Sequence, residues 1–122
     1  MIWCSIRGRS LNFNNLRDLD GAWRTVSEFE NLACVGVKHA ALCGAALGRT
    51  PLEAWTLAYE ADPVSMFRGI VAMNREVDRK TALSLRETFL EAIAAPSFSE
   101  TALGILSGKK NLRVLSIRRP PE

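Results

Sequence analysis

The sequence predicts an α/β fold: a mainly parallel sheet with helices on both faces. Three observations carry this expectation. Short apolar runs at 33–37, 69–73, 92–95 and 112–117 alternate with segments whose apolar residues recur every three or four positions. The runs are apolar almost throughout, as strands covered on both sides are. Capping residues and helix-ending glycines or prolines separate the two kinds of segment, so the chain reads α-β-α-β-α-β-α-β.

Residues 1–13 show little periodicity, although Ile2, Trp3 and Ile6 can pack as an edge. From Asn14 or Asn15, good N-caps, Leu16, Leu19, Trp23 and Val26 recur at helical spacing to about Phe29. A strand follows over 33–37. The next helix has the clearest start in the chain. Thr50 caps it, Pro51 suits the first helical position, and Glu53 completes a Thr-x-x-Glu capping box. Leu52, Trp55, Ala58 and Tyr59 make its apolar face, and Pro63 forces an end near Asp62. After the strand at 69–73, Asp78 caps a third helix with Ala82, Leu85 and Phe89 along one face. Residues 92–95 read as a short buried strand ended by Pro96. Ser97 or Ser99 then caps a fourth helix, which Gly108 stops. Residues 112–117 form the last strand.

At 122 residues the chain is expected to form one α/β domain, 1–122, with a tail over 118–122. Apolar residues make up 48% and charged ones 24%, which is ordinary soluble usage. The longest apolar runs fall well short of a membrane span, and no secretory signal core opens the chain, so a cytoplasmic location is expected and no membrane partner. Sixteen basic and 13 acidic residues leave a net charge of +3. That balance suits a phosphorylated ligand and argues against nucleic acid. Much of the excess lies near the chain ends (Arg7, Arg9, Lys109, Lys110, Arg113, Arg118, Arg119), where solvated positions are expected. Cys4, Cys34 and Cys43 lack metal-site spacing and read as reduced thiols, with Cys34 a small buried apolar residue.

The stretch 35–48 is where chemistry concentrates. A β-branched strand delivers Lys38 and His39, the single histidine of the protein, and a segment rich in Gly and Ala follows. Read as a loop, that segment lets a ligand approach the backbone at Gly44 and Gly48. The same composition also serves plain helix packing, and a lone histidine after a strand is often a hydrogen-bonded structural residue. A deaminase zinc site is not supported. Its His-x-Glu and Pro-Cys-x-x-Cys positions are filled by Ala41, Leu42 and Ala46, leaving two ligands where about three are needed. Phosphate-loop patterns are absent, and Cys43 lacks an orienting partner for nucleophilic work. General base plus cation remains. Lys38 favours the neutral, proton-accepting form of a neighbouring imidazole and can steady a developing oxyanion. Neighbours on a regular strand point to opposite faces, so both can serve one site only if the chain leaves the strand at this point.

These residues also carry a resemblance. KHAALCGAALG, PLEAWTLAYEADPVSMF, GIVAMNREVD, IAAPSFSETALGIL and KKNLRVL follow in order, with LNFNNLRDLDGAW upstream. Together they resemble, over about residues 9–117, the first half of the transformylase domain of the bifunctional purine-biosynthesis enzymes that formylate aminoimidazole carboxamide ribonucleotide (AICAR). The resemblance implies a cytidine-deaminase-like α/β unit without zinc. It implies formyl transfer from formyl-tetrahydrofolate to the amine of AICAR, with no metal cofactor, in a dimer with sites near the interface. His39 matches the proton-accepting histidine, and Lys38 the lysine that steadies the transition state. Phe67, Arg68, Gly69, Glu91 and Gly44 fall where the family meets the nucleotide.

Departures from the family pattern are specific. Lys-His-x-Asn-Pro-Cys-Gly reads Lys-His-Ala-Ala-Leu-Cys-Gly here, and Ser-x-Phe-Gly-Gly reads Ser-Met-Phe-Arg-Gly, with Arg68 in place of a glycine. An upstream Arg-Tyr-Gly motif is not matched, nor are the family's second half and cyclohydrolase domain. Two functions follow. One is a formyltransferase, or a piece of it completed by a homodimer or by a separate chain supplying the second half. The other is a non-catalytic remnant or paralogue that folds, dimerises and binds a purine-precursor nucleotide.

Overall fold

A computed structural model of the chain describes residues 2–7 and 13–118. Its elements are β1 (Ile2–Arg7), α1 (Phe13–Ser27), β2 (Ala33–Lys38), β3 (Ala41–Leu47), α2 (Pro51–Ala61), α3 (Pro63–Met66), β4 (Ile70–Met73), α4 (Arg79–Arg86), β5 (Ala92–Ala95), α5 (Glu100–Leu106) and β6 (Arg113–Arg118). The strands form one sheet in the order β1-β6-β5-β4-β2-β3. β6 takes in Arg118, the first residue of the expected tail, and 119–122 lie outside the described residues.

The α/β class with helices on both faces is what the sequence predicts, but the sheet is mixed. β4, β5 and β6 are parallel, β2 runs antiparallel to β4, and β3 and β1 pair antiparallel at the two edges. Two strands escaped the sequence reading. β1 is the weakly periodic edge at the start. β3 is the Gly/Ala segment expected to be a loop; its small side chains fit an edge strand lying under a helix. Because β2 and β3 form a hairpin, β2 need not follow the parallel direction that a βαβ crossover would impose.

Period-two alternation sorts the strands onto two cores. Ala33, Val35, Val37, Ile70, Ala72, Ala92, Ala94, Leu115 and Ile117 face α1, which contributes Leu19, Ala22, Trp23 and Val26. Cys34, Val71, Met73, Ile93, Ala95 and Val114 face the other side, against Ala54, Trp55, Ala58, Ala82, Leu85, Ala102 and Leu106. Leu16, counted in the apolar stripe of α1, is exposed.

The caps follow the sequence closely. Thr50 accepts from the Glu53 N–H at 3.1 Å, while the Glu53 carboxyl reaches back one residue further than expected, to the Arg49 N–H. Asp62 ends α2 and caps α3 through the Ser65 N–H. Asp78 caps α4 and Ser99 caps α5; Ser97 instead donates to Glu76. α4 stops at Arg86, so Phe89 lies in the following loop, exposed, and not on the helix. Far from the hairpin tip, Asn74 ties the α1–β2 connection together. Its amide donates to the carbonyls of Val26, Phe29 and Asn31 and accepts from the Ala33 N–H.

Among the described residues no helix is long and apolar enough to cross a membrane.

Candidate active site

β2 leaves the sheet at Lys38. The next two residues, His39 and Ala40, have φ of 53° and 62°, and the chain returns as β3 with Lys38 opposite Ala41. Two central residues with positive φ make the tight primed turn that matches strand twist. The departure from strand geometry required for Lys38 and His39 to share a site is therefore present, as a hairpin tip and not as a loop.

Since β2 is antiparallel to β4, its C-terminal end lies beside the N-terminal ends of the parallel strands. The cluster forms at that end and not at the carboxyl crevice usual for open parallel sheets. Phe67, Arg68 and Gly69 lead into β4, Glu91 precedes β5, and Arg113 begins β6. The Glu91 N–H donates to the Gly69 carbonyl (2.9 Å) and the Arg113 N–H to the Glu91 carbonyl, so the three strand entrances are stitched side by side.

Lys38 Nζ donates to the Phe67 carbonyl at 2.8 Å and lies 6.0 Å from the centre of the Phe67 ring. An ammonium has three donors, so two remain for a ligand. The Phe67 and Phe89 rings are 5.6 Å apart, with the Arg68 guanidinium and Lys109 Nζ each 5.9 Å from the Phe89 ring. Glu91 is gripped from both sides, by Arg68 Nε at 3.1 Å and Arg113 Nη1 at 2.9 Å. Arg68, Phe89, Leu90, Glu91, Asn111 and Arg113 line a small cavity of about 70 Å³. His39 is exposed, and none of the described residues hydrogen-bonds its imidazole.

Strain marks this locus. His39, Ala40 and Arg68 (φ 62°) are the non-glycine residues with positive φ among those described, and all three flank the Lys38–Phe67 contact. Left-handed backbone at a non-glycine residue costs about 1–2 kcal/mol and persists where the surroundings over-determine it. At Arg68 the family's glycine has a physical reason, because glycine adopts this conformation freely. Arg68 is held there by its N–H to the Phe89 carbonyl and by its pairing with Glu91.

Of the residues singled out from sequence, Lys38, Phe67, Arg68, Gly69 and Glu91 come together, with His39 at the adjoining tip. Gly44 does not join them. It sits within β3 under α2, where a Cβ would lie 2.3 Å from the Ala58 carbonyl oxygen. Its smallness serves helix packing. Gly69 is hemmed in by backbone too, with Met66 O 3.0 Å from where a Cβ would be.

Cys43 donates weakly from its thiol to the Ser65 carbonyl. Burial raises its pKa, Lys38 opposes that, and Asp62 and Asp18 add to the rise, so no activated thiolate is available. Burial alone pushes the Cys34 thiol far up. Asp62 is held below the usual carboxylate range by the Ser65 hydroxyl and N–H. No group of three His, Cys, Asp or Glu side chains among the described residues is placed to hold a metal ion.

Sequence reasoning missed Arg113 and Asp18. Arg113 was expected to be solvated; it is buried, with Nη1 on Glu91. The available signal was a lone cation inside the apolar run Leu112–Leu115. Asp18, also buried, accepts from the Ala40 N–H at 2.9 Å. Its signal was an acid in helical step with Ala22 and Val26.

The arrangement is an α/β fold of the cytidine-deaminase-like kind. Two structures of Acinetobacter baumannii RibD share the fold, with TM-scores of 0.58 and 0.59 at 14% and 15% identity. Each covers 81% of this chain, which corresponds to 33% and 32% of RibD. The family model of the AICARFT/IMPCHase bienzyme matches residues 2–122, and the chain belongs to that purine-biosynthesis family. It is 53% identical over 116 residues to the bifunctional purine biosynthesis protein PurH of Petrotoga mobilis, covering 95% of this chain and 23% of that protein. Against PurH of Clostridium botulinum (strain Hall) it is 54% identical over 110 residues, covering 90% and 22%. The chain thus spans less than a quarter of the length of these curated relatives.

Proposed function

We propose that this chain carries the Lys38–His39 part of a formyltransferase site acting on AICAR in the cytoplasm, with formyl-tetrahydrofolate as donor and no metal. These residues supply only part of a folate wall, and a second copy or a separate chain is one source of the rest. The observation that carries the reading is the convergence of three strained residues on the Lys38–Phe67 contact, at the sheet end where Glu91 also sits. Left-handed non-glycine backbone gathered at one place among the described residues is what a site built for geometry, and not for stability, requires.

In that reaction the AICAR amine attacks the formyl carbon. His39 takes the proton that the amine loses, Lys38 stabilises the oxyanion, and the folate nitrogen leaves with a proton as the carbon–nitrogen bond breaks. A base is needed because the amine, conjugated with its imidazole, is a poor nucleophile. Phe67 and Phe89 offer an apolar aromatic wall, while Lys38 and Lys109 supply positive charge beside it for the phosphate.

One observation favours a second reading, a non-catalytic paralogue that binds the nucleotide. Arg68 occupies Oε1 of Glu91 and projects a long cation where the family has no side chain. Calorimetry with AICAR and a folate analogue, with and without the remainder of a relative's transformylase domain, decides. The chain alone is expected to bind AICAR and to form no formylated product above a Lys38→Ala/His39→Ala control. With the remainder supplied, turnover abolished by His39→Ala supports the formyltransferase. Binding without turnover in the completed assembly supports the paralogue.

A further inference from the structure

Two-residue turns with both central residues left-handed are normally built from Asn-Gly or Gly-Gly. Here they hold His39 and Ala40, and the alanine has no side chain to hydrogen-bond the local backbone in compensation. Something outside the hairpin must hold the turn. The β2–β3 ladder constrains only its base, at Lys38 and Ala41.

The second constraint comes from α1. Asp18 Oδ1 accepts the Ala40 N–H at 2.9 Å across 22 residues of sequence. Asp18 is only 9% exposed and stands in helical step with Ala22 and Val26, which pack into the core. An acid on the core face of a helix is unfavourable unless a donor meets it. Its ion pair is loose, with Arg17 Nε 3.9 Å away and that side chain 55% exposed. The Ala40 N–H is therefore the close partner, and it belongs to the residue that pays the steric cost of the turn.

We infer that Asp18 is a positioning residue for His39: it fixes the left-handed Ala40 and thereby the direction in which the hairpin tip presents the imidazole. Helix α1, and not the turn's own sequence, sets that direction. Only the functional consequence rests on reading His39 as the proton acceptor, since the test below reports the turn itself.

His39 is the single histidine, so its ring resonances are assigned without ambiguity. Amide exchange and ring NMR spectra are recorded on the whole chain and on Asp18→Ala, Asp18→Asn and the double variant Asp18→Ala/Ala40→Gly. In Asp18→Ala the Ala40 amide is expected to exchange roughly tenfold faster or more, as loss of its acceptor requires, and the His39 ring signals to move to free-histidine positions. Amides of Val71 and Ala72 in β4 should stay within about twofold of wild type. Asp18→Asn keeps an acceptor oxygen and should retain both signatures. Ala40→Gly should restore the ring signals in the alanine background, because glycine needs no help to adopt the turn. Unchanged Ala40 exchange in Asp18→Ala, equal acceleration across β4, or absence of rescue by either second variant overturns the inference. If Asp18→Ala does not fold, recovery of folding by Ala40→Gly supports it and continued failure to fold overturns it. Loss of the proposed formyl transfer would leave these outcomes untouched.

Discussion

Replacing Arg68 by glycine separates two effects that the arginine combines. The left-handed backbone at φ 62° costs about 1–2 kcal/mol for a residue with a Cβ, and glycine removes that cost. Against this stand the ion pair to Glu91 and the greater freedom of glycine in the unfolded chain. The Arg68 side chain is 60% exposed, so solvent screens the pair and holds it to about 0.2–1 kcal/mol. The unfolded-chain effect costs about 0.4–1 kcal/mol. These nearly cancel, and Arg68→Gly should unfold in urea within about 1 kcal/mol of wild type. Arg68→Ala loses the ion pair and keeps the strain. It should be the less stable of the two by about 0.5–1 kcal/mol. An alanine variant as stable as the glycine one would refute the reasoning, since it would mean the backbone at 68 is not held left-handed. The ligand readout is independent. Arg68→Gly frees Oε1 of Glu91, so AICAR should bind more tightly by calorimetry, while the unaided chain still forms no product. Unchanged affinity would show that the pair does not stand in the nucleotide's way.

Gly44→Ala is expected to lower unfolding stability by about 1–3 kcal/mol, because its Cβ would meet the Ala58 carbonyl at 2.3 Å and α2 must move outward. A near-neutral result in urea melts would show that α2 yields easily there. The thiol of Cys34 gives a pH dependence. Its folded pKa is raised above the ordinary 9.0 by burial, so this contribution is fully present below about pH 9 and is lost as pH rises and the unfolded thiol ionises first. The decline should approach about 1.4 kcal/mol per pH unit, and Cys34→Ala should flatten it by that slope. Identical slopes in the two proteins would contradict the buried, protonated thiol.

Helix starts were the most legible features, because capping is local chemistry. Thr50, Asp78 and Ser99 each act within three residues, and the sequence displays all of them. Strand direction was less legible. Nothing in the run 33–37 states whether β2 lies parallel or antiparallel to β4; that depends on the hairpin, and the hairpin was hidden because His-Ala is not a turn dipeptide by propensity. The turn exists through Asp18, which is distant in sequence. Phe89 was misassigned for a related reason. Its spacing from Leu85 is helical, yet α4 ends sooner and the ring meets Phe67. Lys38, Phe67 and Glu91 were recognisable from their neighbours in the motifs, whereas the role of Arg113 appears only when β5 and β6 lie side by side.

The β2–β3 ladder slips by one residue. Gly36 faces Gly44 and Val37 faces Leu42, so Cys43 is a bulge. A bulge bends its strand and increases the local twist. The hairpin tip with Lys38 and His39 thus stands on an elbow, and the ladder from Ala33 to Gly36 is indifferent to how far that elbow is bent. A chain lacking Cys43 would keep Gly36 opposite the next glycine and would lose the contact of Cys43 with the core on the α2 side. It would lose the elbow, and the direction of the lysine and histidine would be left to the Asp18–Ala40 tether alone. Bulge and tether act on the same tip from opposite sides, so a deletion at Cys43 is expected to strain the Asp18–Ala40 bond and misdirect the two side chains on which the proposed chemistry depends.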